Sequence, residues 1–253
     1  MGYFISELTY EQCQTLINEK TVIVLPIGGG SKEHGNHLPM GTDYLVADHL
    51  AKEVTKACDV ITLPTLPFAY FPAFIKWKGS INIEFQHFFD YVKDVILSFQ
   101  RFGVKKFLII DNGVSTHIPL KLLAITLNNE YNIKVAVSDC TGLGSEVDKA
   151  VCSQKRGGHG DEAETSCVLH LRPDLVHMDK TTEEYSSIFP GTKGKIYFPN
   201  RMCTPCGTNG NSTLATAEKG EAILKAQVSD LVAFLNEFIP WEPCDYYDPE
   251  EEV

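Results

Sequence analysis

Apolar positions along the chain alternate between two kinds of pattern. Residues 21–27 (Thr-Val-Ile-Val-Leu-Pro-Ile) form a continuous, largely β-branched run, as expected of a strand buried on both faces. Residues 60–63, 106–111 and 134–138 repeat that pattern at shorter length. Between these runs the spacing lengthens. Leu45, Val46, His49, Leu50 and Val54 recur on one face of a helix over residues 43–54, and residues 84–102 form a clear amphipathic helix that Gly103 stops. Thr9-Tyr10-Glu11-Gln12 has the form of a capping box opening a short helix to about Ile17. Further helices are predicted near residues 119–131, over 161–171, and over 213–238 as one or two segments.

Strands separated by helices predict βαβ crossovers. The expected fold class is therefore α/β, a three-layer α/β/α sandwich with a mostly parallel central sheet. Ligands bind such sheets beyond the carboxyl ends of the strands. The two polar-rich loops, after Ile27 and after Ile110, both leave strands at that edge.

Composition narrows the function classes. The chain has 253 residues, 43% hydrophobic and 22% charged, enough for one domain over residues 1–240. An acidic tail follows at 241–253, where Asp245, Asp248, Glu250, Glu251 and Glu252 supply about half of the formal charge of −11. That charge, with no cluster of Lys and Arg, excludes nucleic acid as a partner. No run approaches the ~20 apolar residues of a membrane helix, so no membrane partner is expected. The N-terminus has no secretory pattern, which places the protein in the cytoplasm and its eight cysteines in the reduced state. The lone Cys203-x-x-Cys206 pair lacks a second ligand pair and reads as two buried or loop thiols rather than a zinc site.

Three segments carry candidate chemistry. In the loop Gly28 to Asp43, three glycines suggest a phosphate cradle, but the spacing fits neither a P-loop nor a dinucleotide fingerprint. The loop also holds Glu33, His34, His37 and Asp43, a mixed oxygen and nitrogen ligand set suited to zinc or manganese, with a carboxylate able to bridge two ions. A plainer reading makes these a wet loop with Asp43 as helix N-cap. In the second segment, His159 precedes a helix whose first turn carries Glu162 and Glu164, suiting acid–base work and metal ligation. The same residues also read as a capping box, Asp161-x-x-Glu164. The third segment, Asp111 to His117, offers His117 as a ligand and Ser115 as a substrate contact, or simple Asn-Gly turn chemistry. The aromatic stretch Phe68, Tyr70, Phe71, Phe74 and Trp77 suits either a substrate wall or core packing. His49, His87, His170 and His177 have no partner cluster and read as structural.

Taken together, the segments resemble the creatininase family. That family carries Leu-Pro-x-Gly…Glu-x-His-Gly-Pro-His-Leu-Pro-Leu-x-Thr-Asp after its first strand, matched here from Leu25-Pro26-Ile27-Gly28 through His34-Gly35-Asn36-His37-Leu38-Pro39-Met40-Gly41-Thr42-Asp43. Its His-Ala-Gly-Glu-x-Glu-Thr-Ser segment is similar to His159 to Ser166, and its closing Ala-Thr-Ala-Glu-Lys-Gly to Ala215 to Gly220. The resemblance implies a hydrolase of a C–N bond such as that of a small cyclic amide. It also implies two Zn or Mn ions per chain and a homo-oligomer, often a hexamer. Asp43 takes the bridging position and His34 a ligand position, with His159 at the catalytic histidine and Glu164 at an acidic site residue. His37 is the second candidate for catalysis, Glu33 and His117 are further candidate ligands, and Tyr70, Trp77 and Ser115 are candidate substrate contacts.

Two departures mark this chain. The family Glu two residues before the loop His is Lys32 here, with Glu33 adjacent and the glycine stretch one residue longer, so a bulge is expected to turn Glu33 into the ligand position. The family Asn-Gly-His is Asn112-Gly113-Val114, leaving His117 as the replacement ligand if the turn winds into a helix there, and otherwise a site short of one nitrogen ligand. The expected mechanism is attack of a metal-activated water on the substrate carbonyl, with His159 carrying the proton. Hydrolysis of a lactone or of an oxidised cyclic polyol or sugar is the alternative on the same scaffold, and a non-catalytic small-molecule-binding member is the third reading.

Overall fold

The computed structural model describes residues 1–186 and 204–242. Cys203 and the acidic cluster from Asp245 to Glu252 lie outside those residues. A five-stranded sheet is built from β1 (Tyr3–Phe4), β2 (Val22–Ile27), β3 (Ile61–Thr62), β4 (Lys106–Asp111) and β5 (Lys134–Val137). Its order is β1-β3-β2-β4-β5, and every pairing is parallel.

Alternation within the strands divides the core into two halves. Ile23, Leu25 and Ile27 of β2, with Phe107 and Ile109 of β4, face α3 (Phe85–Gln100) and α4 (His117–Glu130) and pack with Phe88, Val92, Ile96, Leu120 and Leu127. Val22, Val24, Leu108 and Ile110 point the other way. They pack with Val46, Leu50 and Val54 of α2 (Thr42–Ala57), Cys167 of α6 (Glu162–Leu171), and Ile223, Leu224 and Leu231 of α7 (Ala217–Phe238). The architecture is the α/β sandwich expected, each fully buried aliphatic or aromatic side chain contributing about 1.5–3 kcal/mol. Among the described residues no helix is long and apolar enough to cross a membrane.

Pro26 lies within β2 although proline donates no ladder hydrogen bond. Its carbonyl accepts from Leu66 N at 2.9 Å, so the edge that lacks an N–H faces the segment beyond two-residue β3, and the β4 side keeps its pairing. The region expected as one or two terminal helices is a 3₁₀ turn, Ser212–Leu214, followed by α7, whose start is set by Thr216 accepting from Lys219 N. Among the described elements that were not expected, two belong to the main sheet and its helices. β1 is only two residues long, and α5 (Ser145–Val151) has no buried residue and hence no apolar stripe to reveal it.

The α6–α7 contact explains the Ala215 to Gly220 motif. A Cβ on Gly220 would lie 1.9 Å from Ser166 O, so only glycine lets the two helices approach this closely. Lys219 reaches across to the fully buried Glu162, with its Nζ 2.5 Å from Oε1. The backbone N–H groups of Ser153 and Gln154 also donate to that carboxylate. Glu162 is thereby a brace between helices, not a ligand. The sheet reverses its winding between β2 and β4, and the loops that leave these two strands open a crevice at that switch point.

Candidate active site

The glycines after β2 serve close packing. A Cβ on Gly28 would meet Asp43 O at 2.4 Å, so the absence of a side chain lets the start of α2 sit against the strand end. Asp43 therefore enters the crevice from the first turn of α2. It does not cap the helix, as the N-cap expectation had it: the cap position is Gly41, and the Asp43 side chain is committed elsewhere. Asn112, beyond β4, donates from Nδ2 to Asp43 O at 3.0 Å and ties the two loops together.

Each oxygen of Asp43 has a nitrogen partner. Lys32 Nζ lies 2.7 Å from Oδ2 and His34 Nε2 lies 2.7 Å from Oδ1. Lys32, His34 and Asp43 are 6%, 0% and 2% exposed. Burial works to raise the Asp43 carboxyl, but Lys32 and His34 outweigh it and hold it well below the usual carboxylate range. Burial likewise works against the Lys32 ammonium, yet Asp43 and Glu164 raise its pKa above the ordinary lysine value, so it stays charged. The rings of Phe71 and Phe74 lie 5.1 and 5.0 Å from Nζ, within cation–π range.

Lys32, then, and not Glu33, faces Asp43; the bulge does not turn Glu33 onto that carboxylate. Glu33 Oε2 instead accepts from His159 Nε2 at 3.1 Å, and Oε1 accepts from Gly35 N. Burial would raise the Glu33 carboxyl, but the His159 and Gly35 hydrogen bonds bring it below its ordinary value. Burial lowers the pKa of His159, whose ring stacks at a tilt on His34 and Phe74 at 4.8 and 4.5 Å between centroids. A two-way backbone bridge to Asn209 fixes the His159 main chain. Glu164 Oε2 accepts from Gly160 N at 2.6 Å, while Asp161 caps α6 by accepting from Glu164 N. The capping box is thus only half formed. Glu164 reaches back one residue further than a box requires.

Lys32, Asp43, Phe74, Ser115, His159 and Glu164 line one cavity of roughly 420 Å³, together with Val114. The other predicted residues lie outside its lining. His37 donates to or accepts from Thr165 Oγ1 at 2.8 Å through Nε2, and burial lowers its pKa to about 4. His117 Nδ1 sits 3.4 Å from Asp111 Oδ2 at the start of α4, outside the lining of this cavity. Tyr70 and Trp77 pack against the core under the sheet, with Tyr70 edge-on to Phe85. Of the aromatic stretch, Phe74 is the residue that reaches the cavity wall. Cys140 also lines it, and nothing in the spacing around Cys140 signals that position.

Among the described residues, the donors form one candidate group for a divalent ion. His34 Nδ1 lies 2.9 Å from Lys32 O, a pure acceptor, so Nδ1 carries a hydrogen. Nε2, the other ring nitrogen, lies 2.7 Å from Asp43 Oδ1. His34, His159 and Glu164 each offer a ligand atom within 4.8 Å of the others. That envelope is slightly wider than the ~4.2 Å separating donors on opposite sides of a zinc ion. His34, His159 and Glu164 are the described side chains grouped closely enough to hold a divalent ion after a small adjustment, and Asp43 Oδ1 adjoins that group through His34 Nε2. The other face of Asp43 already carries an ammonium.

A family model described as creatinine amidohydrolase matches residues 6–235. The chain is 26% identical to the creatinine amidohydrolase of Pseudomonas putida, over 94% of this chain and 97% of that protein. It is 22% identical to the 3-dehydro-scyllo-inosose hydrolase of Thermotoga maritima, over 99% of this chain and 88% of that one. Among solved structures, a manganese form of a creatininase superposes with a TM-score of 0.82 at 22% identity, covering 95% of this chain and 100% of that one. A zinc–zinc form of a creatininase mutant gives the same TM-score at 23% identity, over 95% and 100%.

Proposed function

The chain belongs to the creatininase family, and on that footing we propose that it is a metal-dependent hydrolase adding water to the carbonyl of a small cyclic amide or related C–N bond. The observation that carries this reading is the convergence of Asp43, His159 and Glu164 on one cavity of small-molecule size, with His34 buried behind its wall against Asp43. His34, Asp43 and Glu164 would hold a zinc or manganese ion, which supplies Lewis acidity toward a carbonyl and toward water.

The chain's own residues do the rest. Glu33 takes the Nε2 hydrogen of His159, which leaves the lone pair on Nδ1. Through Nδ1, His159 takes a proton from the attacking water and returns it to the leaving nitrogen. Lys32 keeps Asp43 ionised and oriented. Phe71 and Phe74 cover this charge pair and exclude water from it, which strengthens every interaction inside. Ser115, buried on the cavity wall, offers a hydroxyl to the substrate. His37, behind the wall, takes no part in the proton path.

A second reading, hydrolysis of an oxidised cyclic polyol, is favoured by the inosose hydrolase relative that aligns with 99% of this chain. A panel of cyclic amides, lactones and cyclic ketones separates the two. Elemental analysis of protein purified without chelator or tag, alongside turnover, tests the shared site. Asp43→Ala is expected to lose both ion and activity. Retention of both would sink the assignment. The homo-oligomer implied by the family is checked on the same material by light scattering.

A further inference from the structure

Asp43 has two faces, and they are occupied differently. Oδ1 faces His34 Nε2, a group that ligates metals; Oδ2 faces Lys32 Nζ at 2.7 Å, a group that cannot. An ammonium carries three donors. Among the described residues one acceptor at hydrogen-bond distance is recorded for Lys32 Nζ, namely Asp43 Oδ2, while Phe71 and Phe74 present ring faces about 5 Å away. Lys32 nonetheless lines the cavity. Val114, an apolar residue at the place where the family carries histidine, lines the same cavity. Both departures from the family pattern therefore fall in the lining of the cavity that Asp43 also lines.

We propose that the Lys32 ammonium takes the place of a second divalent ion on Asp43, so that the centre accepts at most one exchangeable ion and Lys32 offers its remaining N–H groups to an oxygen of the substrate. A positive charge on that side of the carboxylate is kept, in a form that needs no ligand set of its own. The chain offers no ligand atom from either side chain: position 32 carries an ammonium and position 114 a valine. The substrate oxygen that suits this corner is a carbonyl or a carboxylate, since either accepts a charge-assisted hydrogen bond from a buried ammonium. The proposal rests on the metal-centre reading above, but its main readout is the number of ions bound, which turnover does not enter.

The test is metal stoichiometry by native mass spectrometry in saturating zinc, and separately manganese, for the wild type, Lys32→Met and the double variant K32E/V114H. One ion in the wild type and two in the double variant is the expected result. Two tightly held ions in the wild type would overturn the proposal, as would a folded double variant that binds no more than the wild type. If the double variant does not fold, Lys32→Met decides: its ion count stays at one, and KM for the hydrolysed substrate rises at least tenfold. An unchanged KM there counts against the proposal. A wild type that binds no ion beside a double variant that binds two supports the Lys32 assignment while removing the metal-dependent reading, so the two fail separately.

Discussion

Glu33 and His159, 126 residues apart in the chain, meet inside the crevice with Oε2 3.1 Å from Nε2. Glu33→Gln keeps an acceptor but loses the charge. The carboxylate raises the pKa of His159 against the lowering effect of burial, so its neutralisation lowers that pKa further. Turnover is expected to fall about 10–100-fold, the usual cost of losing a partner that orients a site histidine. The acid limb of the kcat/KM–pH profile is expected to move to lower pH. A limb that stays in place would assign the titrating group elsewhere.

His37 supplies a pH effect on stability with a definite sign. Burial brings its folded pKa to about 4 from the ordinary 6.5, so the unfolded chain binds the extra proton first. Above pH 6.5 both states are neutral at this site and nothing is lost. As the pH falls toward 4 the folded state is progressively penalised, to roughly 3 kcal/mol in the limit. Urea unfolding from pH 7.5 to 4.5 should therefore show the stability difference between wild type and His37→Gln shifting in favour of the variant as the solution becomes more acid.

Gly220→Ala forces a Cβ to within 1.9 Å of Ser166 O unless α7 moves off α6. Overpacking of this kind costs about 1–3 kcal/mol, and a backbone neighbour that cannot rotate away puts this case at the upper end. Lys219→Met leaves Glu162 buried without its cation, at a comparable cost of about 3 kcal/mol. Urea midpoints of the two variants measure both effects. Because the two changes act on one helix contact, the double variant should lose less than the two single losses combined.

Removal of the ion should lower thermal stability as well as activity. An ion present at 100 times its Kd stabilises the native state by about 2.7 kcal/mol, which for a chain of this size is roughly 5–10 °C in Tm. Differential scanning calorimetry with and without chelator is the measurement, and Asp43→Asn should show little response to either condition.

The fold was legible because it depends on period. The unbroken apolar runs of β2 and β4 and the stripes of α2 and α3 each have one structural solution. β1 and α5 escaped because two residues carry no period and no residue of α5 is fully buried. The site was less legible. His34, Asp43, His159 and Glu164 occur in segments with recognisable spacing, but direction is not encoded in spacing. Which of Lys32 and Glu33 faces Asp43 depends on how the loop closes over Phe71 and Phe74, and that contact links residues about 40 positions apart. Tyr70 and Trp77 stand within a few residues of Phe74, yet they pack away from the cavity, since neighbours in an irregular segment need not share a face.

Pro26 has a consequence during folding. Val22 pairs with Lys106, so β2 meets its long partner only after a large loop has closed, a slow step in parallel topologies. Until then the uncharged stretch Val22 to Leu25, rich in β-branched residues, is open to pairing with another copy of itself. A proline one residue later breaks the hydrogen-bonding edge that such a stack would need. In the native sheet the missing donor falls where β3 has already ended, so the residue that discourages self-association of nascent chains costs the finished protein no bond to β4.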